Sequence, residues 1–113
     1  MHIRTAIEDG QIREGNSDLR RIYPWDGVVA TPWESLIVSI RPWESSVECC
    51  SDIDETFIFT RGSGIVKMGF EQQAVHEGDV IYIPRGGRHS VMNTSDDYPL
   101  TFVNIRWLQN VWG

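Results

Sequence analysis

His89 is the residue whose type and setting most directly offer chemistry. It opens a short run, His89 to Asn93, just behind the glycine-rich turn Arg85 to Arg88, and an alternating apolar stretch ends ahead of that turn at Pro84. In GDVIYIPRGGRHSVMN, the residues Pro84, Gly86, His89 and Asn93 stand 6, 8, 11 and 15 positions after Gly78. Proline fixes φ and glycine admits φ > 0, so the chain reverses sharply here between two strands. The reversal aims the imidazole inward from the first position of a strand. A histidine so held is equipped to move protons or to ligate a metal. Its plainer use is a single half-buried hydrogen bond, and both readings stay open on this stretch alone.

The elements that must hold this residue are short strands. From Glu34 onward the sequence turns to β: Ser35 to Arg41 is rich in β-branched residues and stops at Pro42. Ser45 to Cys50, Thr56 to Thr60, Ile65 to Phe70, Glu71 to His76, Val80 to Ile83, His89 to Asn93 and Leu100 to Trp107 follow, separated by Gly-, Asp- or Pro-containing turns. Turns recur at intervals of about ten residues, a rhythm that predicts a sandwich or barrel. Before Glu34 the pattern is mixed. His2 to Ile7 reads as a short strand or arm, Glu8 to Asn16 as turn, and Ser17 to Ile22 as one helical turn at most, with Pro24, Gly27 and Pro32 breaking any longer element.

Composition bounds the function. A chain of 113 residues with 41% hydrophobic residues and five tryptophans suits one globular domain with its own core. The net charge of −6 comes without any lysine/arginine block, so the electrostatic footprint of nucleic-acid binding is missing. The opening MHIRTAIEDG has no apolar run after a basic segment, and no apolar stretch is long enough to span a bilayer. These features set the expectation of a cytoplasmic protein. The only cysteines, Cys49 and Cys50, are adjacent, which excludes a secreted disulfide framework. In a strand their side chains face opposite sides, so at most one enters an interior.

The spacing G-x5-P-x-G-x2-H-x3-N resembles the second signature of the cupin family at every fixed position. Upstream, Glu55-Thr-Phe-Ile-Phe-Thr-Arg-Gly62 matches the E-x6-G close of the family's first signature, G-x5-H-x-H-x3,4-E-x6-G. The resemblance spans Arg41 to Asn93. It implies an all-β cupin jelly-roll, the double-stranded β-helix barrel, over residues 31–113, preceded by an N-terminal arm over residues 1–30. A sandwich of similar strands without a cavity is the alternative.

In most cupins two histidines and the glutamate of the first signature, with the histidine of the second, bind one divalent metal. The resemblance carries that glutamate to Glu55 and that histidine to His89. With a three-residue gap before Glu55 the histidine pair falls on Cys49 and Ser51, and Trp43 takes the place of the leading glycine. A four-residue gap would give Glu48 and Cys50 instead. The first register keeps the glycine-to-histidine spacing and is preferred. Either way the chain departs from the pattern at both histidines. One outcome is an atypical zinc or iron site from Cys49, Glu55 and His89, completed by Ser51 or water. The other is a metal-free pocket in which Glu55 and His89 form an acid–base pair.

Trp43, Phe57, Phe59 and Trp107 are the candidate pocket walls for a small, partly apolar or planar ligand, or else ordinary core. Among the arginines near strand ends, Arg41, Arg85, Arg88 and Arg106, one is a candidate for a substrate carboxylate while most are expected to be solvated. The reading favours an enzyme of specialised or amino-acid metabolism, a lyase, isomerase/cyclase or oxygenase, over a non-catalytic ligand-binding or sensor cupin. Scattered residues (Trp33 to Arg41, Glu44-Ser-Ser46, Glu55-x-Phe-Ile58, Ile105-Arg-Trp107) are similar to the cupin partners of hydrazine synthetases, which implies a synthetase-like biosynthetic partner. The resemblance also implies a homodimer, with Trp25, Trp33 and Trp112 available to cover an interface.

Overall fold

The computed structural model describes residues 1–107. It contains one helical turn, α1 (Ala6–Asp9), and ten strands. They are β1 (Ile12–Glu14), β2 (Ser17–Tyr23), β3 (Trp33–Ile40), β4 (Cys49–Cys50), β5 (Glu55–Arg61), β6 (Ser63–Met68), β7 (Glu71–His76), β8 (Val80–Ile83), β9 (Arg88–Asn93) and β10 (Leu100–Trp107). A six-stranded sheet runs β1-β2-β3-β10-β5-β8, and a four-stranded sheet runs β4-β9-β6-β7. Every pairing is antiparallel, and the two sheets face each other as a jelly roll.

Period-two alternation decides which side chains lie between the sheets. On β5, Glu55, Phe57 and Phe59 are buried while the residues between them are half-buried. On β10 the inward set is Leu100, Phe102 and Asn104, because Phe102 pairs with Phe59 and Asn104 with Phe57. The buried phenylalanines all come from the six-stranded sheet, beside Val38, Ile40, Ile83 and Leu100, and the core residues of the other sheet are valines. Phe102 lies 4.8 Å from Phe57 and 5.1 Å from Phe59, centroid to centroid, and Val66, Val75 and Val91 answer from the second sheet. Gly64 lets these layers close: a Cβ there would run into the Met92 carbonyl and the Leu100 side chain.

Residues 1–30 do more than an arm. The expected helical turn over Ser17 to Ile22 is a strand, since β2 finds a ladder partner in β3, pairing Asp18 with Ser39 and Arg21 with Leu36. Tertiary pairing overrides a weak local preference here. Of the short strand or arm expected over His2 to Ile7, the strand does not form: the segment runs without regular structure into α1, where Thr5 caps the turn by accepting from the Glu8 amide. Ser45 to Cys50 is strand only at Cys49–Cys50, apart from one isolated bridge between Ser45 and Met92.

Candidate active site

His89 is placed by the turn before it. The Gly87 amide donates to the Pro84 carbonyl at 3.2 Å, and Gly86 sits at φ 80°, the left-handed geometry that a glycine supplies at the third position of a type II turn. Two further contacts pin the turn to the start of β5. The Arg85 amide donates to Asp54 Oδ1 at 2.9 Å, and the Gly86 amide donates to the Ser51 carbonyl at 2.6 Å. The Arg85 backbone N–H first, and then the Arg85 guanidinium, hold the Asp54 carboxyl below its ordinary range.

The imidazole of His89 is 8% exposed and the carboxylate of Glu55 is 5% exposed, and they meet 3.4 Å apart, Nε2 to Oε2. His89 Nδ1 lies 3.1 Å from the Gly87 carbonyl, which can only accept, so Nδ1 carries the proton. Nε2 is the nitrogen left to gain or lose a proton, and it faces Glu55 at a distance longer than a formed hydrogen bond. Phe57 walls this pair, with its ring centroid 5.6 Å from that of His89.

The other carboxylate oxygen of Glu55 has its own partners. Asn104 Nδ2 donates to Oε1 at 3.2 Å. Arg106 Nε stands 3.2 Å from the same oxygen, at ion-pair distance, although its N–H is not directed into a hydrogen bond. Arg106 lies on β10 directly across from Glu55 on β5 and from Glu34 on β3. Its Nη1 donates to Glu34 Oε1 at 3.1 Å, and Arg21 Nη2 reaches Glu34 Oε2 at 2.6 Å. Charge thus alternates Arg21, Glu34, Arg106, Glu55 across neighbouring strands, ending at His89. Sequence reading named Arg106 only as one of four arginines, one of them a candidate for a substrate carboxylate, and did not single out Asn104. The signal available was parity: both occupy the inward positions that Phe102 defines on β10.

Three polar groups around Glu55 keep unused hydrogen-bonding capacity. His89 Nε2 makes only the long contact, and Asn104 Oδ1 and Arg106 Nε are buried without a hydrogen-bond partner. A groove of about 480 Å³ lies between the edge strands β7 and β8, and Glu55, His89, Asn104 and Arg106 are not among its lining residues. Val66, Met68, Ile81 and Ile83 are on its apolar side, and Glu71, Gln72 and Gln73 are among its polar lining. Met68 is the cross-strand partner of His89, and Ile83 is the cross-strand partner of Glu55.

The structure distributes the remaining predicted residues differently. Cys49 pairs with His89 across β4 and β9, yet its thiol is exposed, and Cys50 pairs with Arg88. Ser51 is occupied locally, its hydroxyl accepting from the Ile53 amide at 3.2 Å. Among the described residues no three His, Cys, Asp or Glu side chains gather into a group able to hold a metal ion. The expected Cys49–Ser51–Glu55–His89 metal set is therefore not assembled, because β4 lies at an open edge while Glu55 is already engaged by Asn104 and Arg106. Zinc or iron does not fit these residues as they stand.

Phe57 and Phe59 are interior, but only Phe57 touches the pair; Phe59 belongs to the core with Phe102. Trp107 is not a pocket wall. It falls on the outward parity of β10, opposite Trp33, with ring centroids 5.7 Å apart. Trp43 is 59% exposed and donates from Nε1 to Asp96 at 2.6 Å, away from the pair. Its backbone stands at φ 59°, the left-handed region, in a turn closed by the Glu44 amide on the Arg41 carbonyl. That conformation suits the glycine which the signature places there.

The family profile described as Cupin domain matches residues 40–106. The chain belongs to the cupin family. Among solved structures, this cupin is similar to the plu4264 protein from Photorhabdus luminescens, with 31% identity, a TM-score of 0.84, and coverage of 93% of this chain and 86% of that one. A cupin 2 conserved barrel domain protein from Salinispora arenicola matches at 28% identity and TM-score 0.85, over 95% of this chain and 88% of that one. The polyketide cyclase RemF from Streptomyces resistomycificus, at 18% identity and TM-score 0.79 over 96% and 80% of the two chains, shares the fold. No curated protein matches the chain. Among the described residues no helix is long and apolar enough to cross a membrane.

Proposed function

We propose that this small-molecule cupin is an enzyme that moves protons with the Glu55–His89 pair. The observation carrying this reading is the unused polar capacity at one buried point: an imidazole nitrogen, a free amide oxygen and a guanidinium N–H around one carboxylate. A purely structural site closes such valences, since an unpaired buried polar group is costly. A ligand carrying a carbonyl or hydroxyl would meet a base in His89 Nε2, an acceptor in Asn104 Oδ1 and a donor in Arg106. Abstracting a proton beside a carbonyl at Nε2, with Glu55 stabilising the imidazolium that forms, is the step such a set supports. Lyase, isomerase and cyclase reactions all need a step of this kind. The apolar side of the neighbouring groove suits a small ligand with an apolar body, and Glu71, Gln72 and Gln73 suit a polar end.

The test is a thermal-shift screen of a metabolite library, followed by NMR of each stabilising compound with the protein in D₂O. The reading expects hits that exchange a carbon-bound hydrogen for deuterium. Exchange should fall at least about a hundredfold in His89→Gln and Glu55→Gln, as for loss of a general base, while binding persists. Compounds that bind wild type and variants alike, with no exchange, would make the chain a non-catalytic binding or sensor module. The replacement of both first-signature histidines favours that second reading. We also propose a homodimer through the outer face of the six-stranded sheet. Half-buried Ile37, Val103 and Ile105 flank the Trp33–Trp107 contact there, and light scattering would test it.

A further inference from the structure

The family's metal is a divalent cation held against the carboxylate that corresponds to Glu55, and this chain sets another cation against it. We propose that the Arg106 guanidinium takes over the charge-balancing place of the metal, making this a cupin site with a built-in cation. The inference rests on the assignment of Glu55 and His89 as the site. It goes further in naming what holds the carboxylate and in predicting that the site rejects metal while Arg106 is present.

Three observations carry it. Arg106 is the direct cross-strand neighbour of Glu55, with Nε 3.2 Å from Oε1. It is itself fixed from the other side by Glu34, which faces it across β3 and is bound in turn by Arg21 at 2.6 Å. The two residues in the register of the family's histidine pair, Cys49 and Ser51, are an exposed thiol and a hydroxyl already accepting a backbone hydrogen bond. A dication approaching Glu55 would therefore find few ligands and a fixed positive charge. Like charges at such separations repel, and the burial of Glu55 limits the screening. Arg106 is a positioning residue in this role: it sets the orientation of Glu55 and hence the face that Oε2 presents to His89.

The experiment is a cobalt(II) titration of five proteins, read by visible absorption and calorimetry: wild type, Arg106→Met, Cys49→His/Ser51→His, and that histidine pair combined with Arg106→Met (the triple variant) or with Arg106→Lys. Wild type should bind no stoichiometric cobalt at micromolar concentrations. The histidine pair alone should bind weakly. The triple variant should bind at least about a hundredfold more tightly than the histidine pair alone, the scale expected for removing a fixed adjacent cation. Arg106→Lys in the histidine-pair background should keep the weak binding, since it keeps the charge. Equal affinity in the double and triple variants would overturn the proposal. So would one equivalent of zinc or cobalt bound by wild type, a result that stands even if Arg106→Met fails to fold. None of these readouts depends on activity, so the proposal can fail while the proton-transfer reading survives, and the reverse also holds.

Discussion

Two buried polar residues on β9, His89 and Asn93, point into the same interior four positions apart, and they have been treated in opposite ways. Asn93 is fully buried and fully used. Its Nδ2 donates to the Ile40 and Tyr98 carbonyls at 2.9 and 2.8 Å, its Oδ1 accepts from the Ser95 amide at 2.8 Å, and its own amide donates to the Glu44 carbonyl. His89 is nearly as buried, but only Nδ1 has a short partner. At the Asn93 end the polar side chain ties loops to the sandwich. At the His89 end the loops tie down the side chain and leave one nitrogen unspent. The contrast separates a residue that builds from a residue that is presented.

The largest effect should come from Asn93. Asn93→Ala strands two carbonyls and an amide, and should lower the unfolding free energy in urea by about 3–5 kcal/mol. A loss below about 1 kcal/mol would erase the contrast.

At the other end the expected costs are smaller and unequal. Glu55→Gln leaves Arg106 without its inner counter-charge and should cost about 2 kcal/mol, reduced from the fully buried case because the guanidinium is one-third exposed. His89→Gln should cost about 1 kcal/mol or less. If His89→Gln proved as damaging to stability as Asn93→Ala, His89 would be a structural residue too.

The smallest effect is on pH dependence. The Asp54 carboxyl, held low by the Arg85 backbone N–H and guanidinium, anchors the turn before His89. Its folded pKa is depressed, so its contribution is present above the unfolded value of 3.8 and lost as pH falls below it. Amide protection, taken relative to the intrinsic exchange rate at each pH, should fall at Arg85 and Gly86 before it does at Asn93. Asp54→Asn should flatten this acid response by leaving Arg85 and Gly86 already less protected at neutral pH.

Much of this architecture was legible in the sequence. The period-two runs from Ser35 onward, the Pro84–Gly86–His89 spacing and the reach back to Glu55 all describe contacts between elements whose order the fold fixes. Even the odd Trp43 marked its place, since a tryptophan aligned with a glycine is found in the glycine conformation. What stayed hidden depends on pairing partners. Ser17 to Tyr23 has no strong preference of its own and becomes strand only because β3 offers an edge. Arg106 looks like any terminal arginine until β10 is slotted between β3 and β5, which puts a glutamate on each side. Trp107 was misplaced for the complementary reason: odd positions face inward on β5, but on β10 the even ones do. The ligand set failed at Cys49 because signature spacing gives register and says nothing of how open the edge strand lies.

The location of the indoles has a practical consequence. The interior is lit by phenylalanine, whereas Trp25 and Trp33 are half-buried and Trp43 and Trp107 are exposed; Trp112 lies outside the described residues. Intrinsic emission therefore watches the rind of this protein. A fluorescence melt would register the fraying of turns and the outer sheet face, and collapse of the phenylalanine centre would have to be followed in the far-ultraviolet dichroism of the strands themselves.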